Sequence, residues 1–153
     1  MILIGIYSGW RPQELAILKI SDIDLENRTM LGGLKTEAGK NRIAPIHSKI
    51  FPLIENYYEK NNEYLFNDDN GQQGNFMTYD KYRARFKKVM EKFKMTHKPH
   101  DTRHTFITLA KENNMDEYII KLIVGHAIED ITEKIYTHRT IEQLKNEKNT
   151  LFF

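Results

Sequence analysis

The chain has 153 residues, enough for one domain with a real core, and its 40% hydrophobic and 29% charged residues are an ordinary soluble balance. It has no cysteine, which excludes disulfides, thiolate metal sites and a cysteine nucleophile. The longest apolar stretch, Met1 to Tyr7, is too short to span a bilayer and follows no basic segment, so a cytoplasmic protein without membrane contact is expected; the net charge of +2 is too small to argue for nucleic acid.

In chain order, apolar residues at Ile2, Leu3, Ile6 and Tyr7 stop at Ser8-Gly9 and resume at Leu15, Leu18 and Ile20. This predicts two helical pieces joined at the glycine, with Pro12 in a first turn where its missing N–H does no harm. Alternation then sets in. Ile23 and Leu25, a turn at Glu26-Asn27, Thr29 to Leu31, a second turn around Glu37-Ala38-Gly39, and Arg42 to Ile46 predict a small three-stranded antiparallel sheet. Lys35 falls near the tip of the second hairpin.

Ser48 is placed to cap a helix carrying Ile50, Leu53, Ile54, Tyr57 and Tyr58, and the polar stretch Asn67 to Asn75 reads as a loop. Tyr79, Tyr82, Phe86, Val89, Met90 and Phe93 then form one helical stripe, taken as core rather than as base-stacking groups. Around it stand Lys81, Arg83, Arg85, Lys87, Lys88, Lys92, Lys94 and Lys98 against a single acid, Glu91. Such a run suits a phosphate backbone or a solvated helix face. A further helix opens at Asp101 or Thr102 with Arg103, Phe106 and Ala110 on one face and ends at Asn113-Asn114. Asp116 caps the next, stopped by Gly125; Asp130 caps another that carries Tyr136; a polar helix runs from Ile141 to Lys148. The expected fold class is α+β, mainly helical, with one small sheet.

Several polar residues have an ordinary explanation when taken singly. Arg11 can pair with Glu14 three residues on; His100 and Arg103 can be a surface pair; His126 can cap a helix end; Tyr136 can be core with a bonded hydroxyl. Together they describe one chemistry. Two arginines can grip phosphate oxygens bidentately, and two histidines can donate or accept protons near neutral pH. A lysine can protonate a leaving oxygen, and a tyrosine hydroxyl can attack phosphorus. The sequence has no convincing Asp/Glu cluster for a pair of metals, so no metal and no cofactor is expected.

Ser8-Gly9-Trp10-Arg11-Pro12-Gln13-Glu14-Leu15 resembles the first arginine box of tyrosine recombinases, the phage-integrase family. Pro99-His100-Asp101-Thr102-Arg103-His104-Thr105-Phe106 resembles its His-x-x-Arg box. Leu122-Ile123-Val124-Gly125-His126, followed by Thr132 and Ile135-Tyr136-Thr137-His138, resembles the third, with His126 and Tyr136 ten residues apart as in phage and conjugative-transposon integrases. Lys35-Thr36 matches the family's hairpin lysine. Trp10 and Val124 depart from the usual smaller apolar residue and leucine. The boxes stand in family order and cover nearly the whole chain.

The resemblance implies the tyrosine-recombinase catalytic fold over residues 1–153, lacking the family's N-terminal DNA-clamping domain and the start of the catalytic domain. It implies site-specific recombination, with integration or excision of a mobile element. Tyr136 would form a 3′-phosphotyrosine, and Arg11, Arg103 and His126 would hold the non-bridging oxygens. His100 would stand beside the nucleophile, Lys35 would be the general acid, and Glu14 would fix the arginine fork. Double-stranded DNA would be the partner, with Lys81, Arg83, Arg85, Lys87 and Lys88 on its backbone, and a homo-oligomer, a tetramer on DNA, would form through the tail Leu151-Phe152-Phe153. The rival readings are a non-cutting DNA-binding remnant and a type IB topoisomerase-like activity.

Overall fold

The computed structural model describes residues 1–33, 41–67, 76–127 and 141–149. Helix α1 (Ile2–Ser8) ends at Gly9, whose φ of 71° lets its N–H close back on the Gly5 carbonyl. Helix α2 (Pro12–Ala16) starts at once, with Pro12 in its first turn as expected, but it is one turn long; Ile20 to Asp22 form a separate 3₁₀ turn. Strands β1 (Ile23–Asp24), β2 (Thr29–Gly32) and β3 (Arg42–Pro45) make the predicted antiparallel sheet in the order β1-β2-β3. The Asp24 carboxylate accepts both the backbone and side-chain N–H of Asn27, which is the turn chemistry that sequence suggested. Met30 opposes Ala44 on the fully buried face, and Leu31 opposes Ile43 on the other.

Helix α3 (Phe51–Tyr57) corrects one expectation. Ser48 is not its cap. His47 lies upstream, its carbonyl taking the N–H groups of Ile50 and Phe51 and its Nδ1 that of Lys49, so the helix begins two residues later. Two antiparallel contacts, Lys19 with Tyr64 and Asn67 with Phe76, flank the loop region and were not foreseen. Helix α4 (Tyr79–Lys92) is capped by Thr78, whose hydroxyl accepts from the Lys81 N–H. Of its proposed stripe, Tyr82, Phe86 and Met90 are buried; Val89 and Phe93 are exposed, the latter because it stands past the helix end.

Helix α5 (Asp101–Glu112) presents Arg103, Phe106 and Ala110 to the interior, and α6 (Glu117–Val124) runs from the Asp116 cap to Gly125 at φ 70°, both as expected. Helix α7 (Ile141–Asn149) closes the described chain. Apolar side chains of the described residues collect in two clusters. The larger joins α1, α2, the sheet, α3 and α4 around Trp10, Met30 and Phe86; the smaller joins α5, α6 and Leu144 of α7. Burial of each such large side chain contributes roughly 1.5–3 kcal/mol. The seam between α1 and α5 is tight. A Cβ on Gly5 would stand 2.7 Å from the Thr102 Oγ1, so glycine permits that approach. No helix among the described residues is long and apolar enough to cross a membrane.

Candidate active site

The turn between α1 and α2 places Arg11 at the first helical cap, and the cap is made by Glu14, whose Oε2 accepts the Arg11 backbone N–H at 2.9 Å. The same carboxylate binds two guanidinium groups. Its Oε1 accepts from the Nη1 of Arg11 at 3.1 Å and of Arg42 at 3.2 Å, and its Oε2 accepts from the Arg42 Nη2 at 2.7 Å. Glu14 and Arg42 are buried, while the Arg11 side chain keeps 17% of its surface open. Burial alone would raise the Glu14 carboxyl, but Arg42, then Arg11, more than offset it and hold it below the usual range. The pairing of Arg11 with Glu14 is thus real, and it leaves part of the guanidinium available to a ligand.

Arg103 enters from the first turn of α5 and is only 2% exposed, which excludes a surface pair with His100. Its Nη1 donates to the Gly9 carbonyl at 2.8 Å and to the Val124 carbonyl at 2.6 Å, so it clips the end of α1 to the end of α6. Its Nη2 is buried and has no hydrogen-bond partner among the described residues. Burial first, then the charges of Arg11 and Arg42, lowers its pKa to about 10, with Glu14 acting the other way. The group remains a cation at neutral pH, held in a place that favours an anion beside it.

His100 caps α5 and His126 follows the glycine that ends α6; both are exposed. The His126 backbone N–H closes on the Lys121 carbonyl, so the main chain and not the imidazole finishes that helix. Both rings are held below their ordinary pKa. Partial burial is the largest cause in each; for His100 the neighbouring His104 comes next, with ring centres 5.1 Å apart, then Arg103 and Arg11, and for His126 Arg103 and then Arg11. Arg11, His100, Arg103 and His126, drawn from three separated segments, therefore share one positive field.

Lys35 and Tyr136 lie outside the described residues, as does the tail 151–153. Lys81, Arg83, Arg85, Lys87 and Lys88 are on α4, where Arg83 pairs with Asp80 and Lys87 with Glu91, both pairs exposed. No group of three metal-ligating side chains occurs among the described residues. Sequence reasoning missed Arg42. The available signal was parity: Arg42 shares the inward face of β3 with Ala44, and a cation on the core side of a strand requires a partner.

The geometry agrees with the company the chain keeps. A family model described as the phage integrase family matches residues 1–143. The tyrosine recombinase XerA of Pyrococcus horikoshii is 32% identical over 151 residues, covering 95% of this chain and 52% of its own length. Among solved structures, the integrase of mycobacterium phage Brujita superposes with a TM-score of 0.75 at 20% identity, over 99% of this chain and 50% of that one. The Tn1549 transposon integrase, solved with circular intermediate DNA, gives a TM-score of 0.70 at 25% identity over 95% and 55%. The chain spans about half the length of these relatives. Its ordered boxes, its helices around a three-stranded sheet, and a match that runs through both arginines make the chain a member of the phage integrase family.

Proposed function

We propose that this chain is the catalytic unit of a site-specific DNA recombinase that cuts and rejoins strands through Tyr136. The observation that carries the reading is the cluster of Arg11, Arg103 and His126 at the meeting of the α1–α2 turn, α5 and α6, where a buried guanidinium nitrogen stands without a partner among the described residues. A phosphodiester's non-bridging oxygens would satisfy it, and their growing negative charge in the transition state is what fixed donors stabilise.

In the proposed reaction the Tyr136 oxygen forms a bond to phosphorus as the bond from phosphorus to the 5′ oxygen breaks. The phenol, with an ordinary pKa of ~10, gives its proton to a neighbouring base. His100 suits that task, because its lowered pKa keeps it neutral at physiological pH. Lys35 would protonate the departing 5′ oxygen, leaving a 3′-phosphotyrosine and a free 5′ hydroxyl. Attack by the 5′ hydroxyl of another strand reverses the step and frees Tyr136. Exchange between duplexes needs several copies of the chain, and the tail Leu151-Phe152-Phe153 is the segment proposed to join them into a tetramer on DNA. The five α4 cations would follow the backbone, and a DNA substrate implies work in the cytoplasm.

The test is covalent trapping on nicked duplexes of randomised sequence, read as an SDS-resistant band. Parent protein should give the adduct and Tyr136→Phe should not. An adduct that survives in Tyr136→Phe removes the nucleophile assignment. Binding without any adduct would favour the non-cutting remnant, and relaxation of supercoils without partner exchange the topoisomerase reading.

A further inference from the structure

Arg42 makes more of this site than its place in a strand requires. It is the first residue of β3, yet its side chain is buried and all three guanidinium nitrogens are engaged: Nη1 and Nη2 on the two oxygens of Glu14, and Nε on the Ile123 carbonyl at 3.0 Å. The guanidinium carbon lies 4.7 Å from the centre of the Trp10 ring, which therefore stacks against it. The neighbours of Arg42 are telling. Trp10 and Glu14 flank Arg11 in sequence, and Ile123 is three residues before His126.

We infer that Arg42 is a positioning residue for the cleavage reaction, holding Glu14 as the fixed partner of the Arg11 fork and pinning that fork to the end of α6 that carries His126. The inference rests on the reading of Arg11 and His126 as phosphate ligands. A carboxylate alone could not do this. Without Arg42, burial would drive it towards the neutral acid; Arg42 is the largest influence that opposes this. A protonated Glu14 could no longer accept from the Arg11 backbone and side chain together. Among the described residues, the charges facing Glu14 include Arg11 from the α2 cap, Arg42 from β3 and Arg103 from α5. Arginine is needed because a lysine ammonium cannot span both carboxylate oxygens and a carbonyl at once.

The experiment compares parent, Arg42→Met, Arg42→Lys and Arg42→Met combined with Glu14→Gln on a nicked duplex that the parent cleaves. Arg42→Met should bind the duplex within about threefold of parent while adduct formation falls by about 10²-fold, as expected when the group that orients a ligand is lost. Its rate should also fall steeply on the acid side, where Glu14 now protonates. That acid loss should vanish when Glu14→Gln is added, and Arg42→Lys should restore the parent's pH profile and part of the rate. Equal losses of affinity and rate with the parent's profile would overturn the proposal, since Arg42 would then be a phosphate contact or a purely structural group. NMR provides the second arm: in Arg42→Met the Glu14 carboxyl should titrate at higher pH than in the parent, and the Arg11 Nε–H signal should broaden. An Arg11 signal identical to the parent's overturns the proposal even if rates change. Should the parent form no adduct, the recombinase reading fails and these two resonances decide the role of Arg42 alone. Should Arg42→Met not fold, the Arg11 signal of Arg42→Lys decides, broadening being the expected result.

Discussion

A Cβ on Gly9 would lie 2.4 Å from the Cδ1 of Phe106, so the turn before Arg11 and the face of α5 behind Arg103 fit together only with glycine between them. Gly9 also has φ 71° and offers its carbonyl to Arg103. Gly9→Ala should therefore lose stability twice, through left-handed backbone and through overpacking, by roughly 2–4 kcal/mol in all. Urea denaturation measures it. A loss below about 0.5 kcal/mol, the range of an ordinary surface change, would mean that the Phe106 ring moves aside freely.

The two histidines give a prediction in pH. Each has its folded pKa below the ordinary 6.5, so the unfolded chain binds their protons more readily. The stability they permit is complete above about 6.5 and is lost as pH falls through the lowered folded values. Urea midpoints should drop on acidification, and less so in His100→Gln combined with His126→Gln. Sulfate should narrow the difference, since a bound anion favours the charged rings. A parent and a double variant that lose stability in parallel would show that the rings do not share the positive field.

Arg103 should separate stability from activity. Its two carbonyl bonds are charge-assisted and each contributes on the order of 1.5–3 kcal/mol, but the buried cation also bears desolvation and the repulsion of Arg11. Arg103→Met removes both sides of that balance, so the net change in folding should stay within about 2 kcal/mol. Adduct formation should fall by roughly 10²–10³ or more, the usual cost of a transition-state donor. A variant that unfolds outright but cleaves normally when stabilised by ligand would make Arg103 structural.

What could be read from sequence followed the range of the interactions. Caps and turns are local, so Asp116, Gly125, Asn27 and Pro12 announced themselves within a few residues. The burial of Arg103 was legible from its spacing to Phe106 and Ala110. The link from Arg42 to Ile123 joins residues 81 apart in the chain and left only the faint mark of a cation at a core-facing position. Ser48 misled because a good capping side chain is only a preference, and here His47, one residue earlier, supplies both the carbonyl and the ring nitrogen that start the helix.

The last prediction concerns Lys35, which resemblance and hairpin position single out as the proton donor. A 5′ alkoxide is a poor leaving group at neutral pH, so the bond to phosphorus breaks readily only if a proton arrives as it breaks. Replacing the bridging 5′ oxygen by sulfur removes that need, because a thiolate leaves unprotonated. Lys35→Ala should cut the ordinary ester very slowly and the sulfur-bridged ester at nearly the parent rate. Arg103→Met should be slow on both, since its proposed work is on the non-bridging oxygens and sulfur at the bridge would not replace it. Single-turnover adduct formation on the two substrates measures the contrast. If sulfur leaves Lys35→Ala slow, Lys35 contacts a phosphate and the acid is another group; His126 would be the first to test, since the Gly125 turn sets it in the field of Arg11 and Arg103.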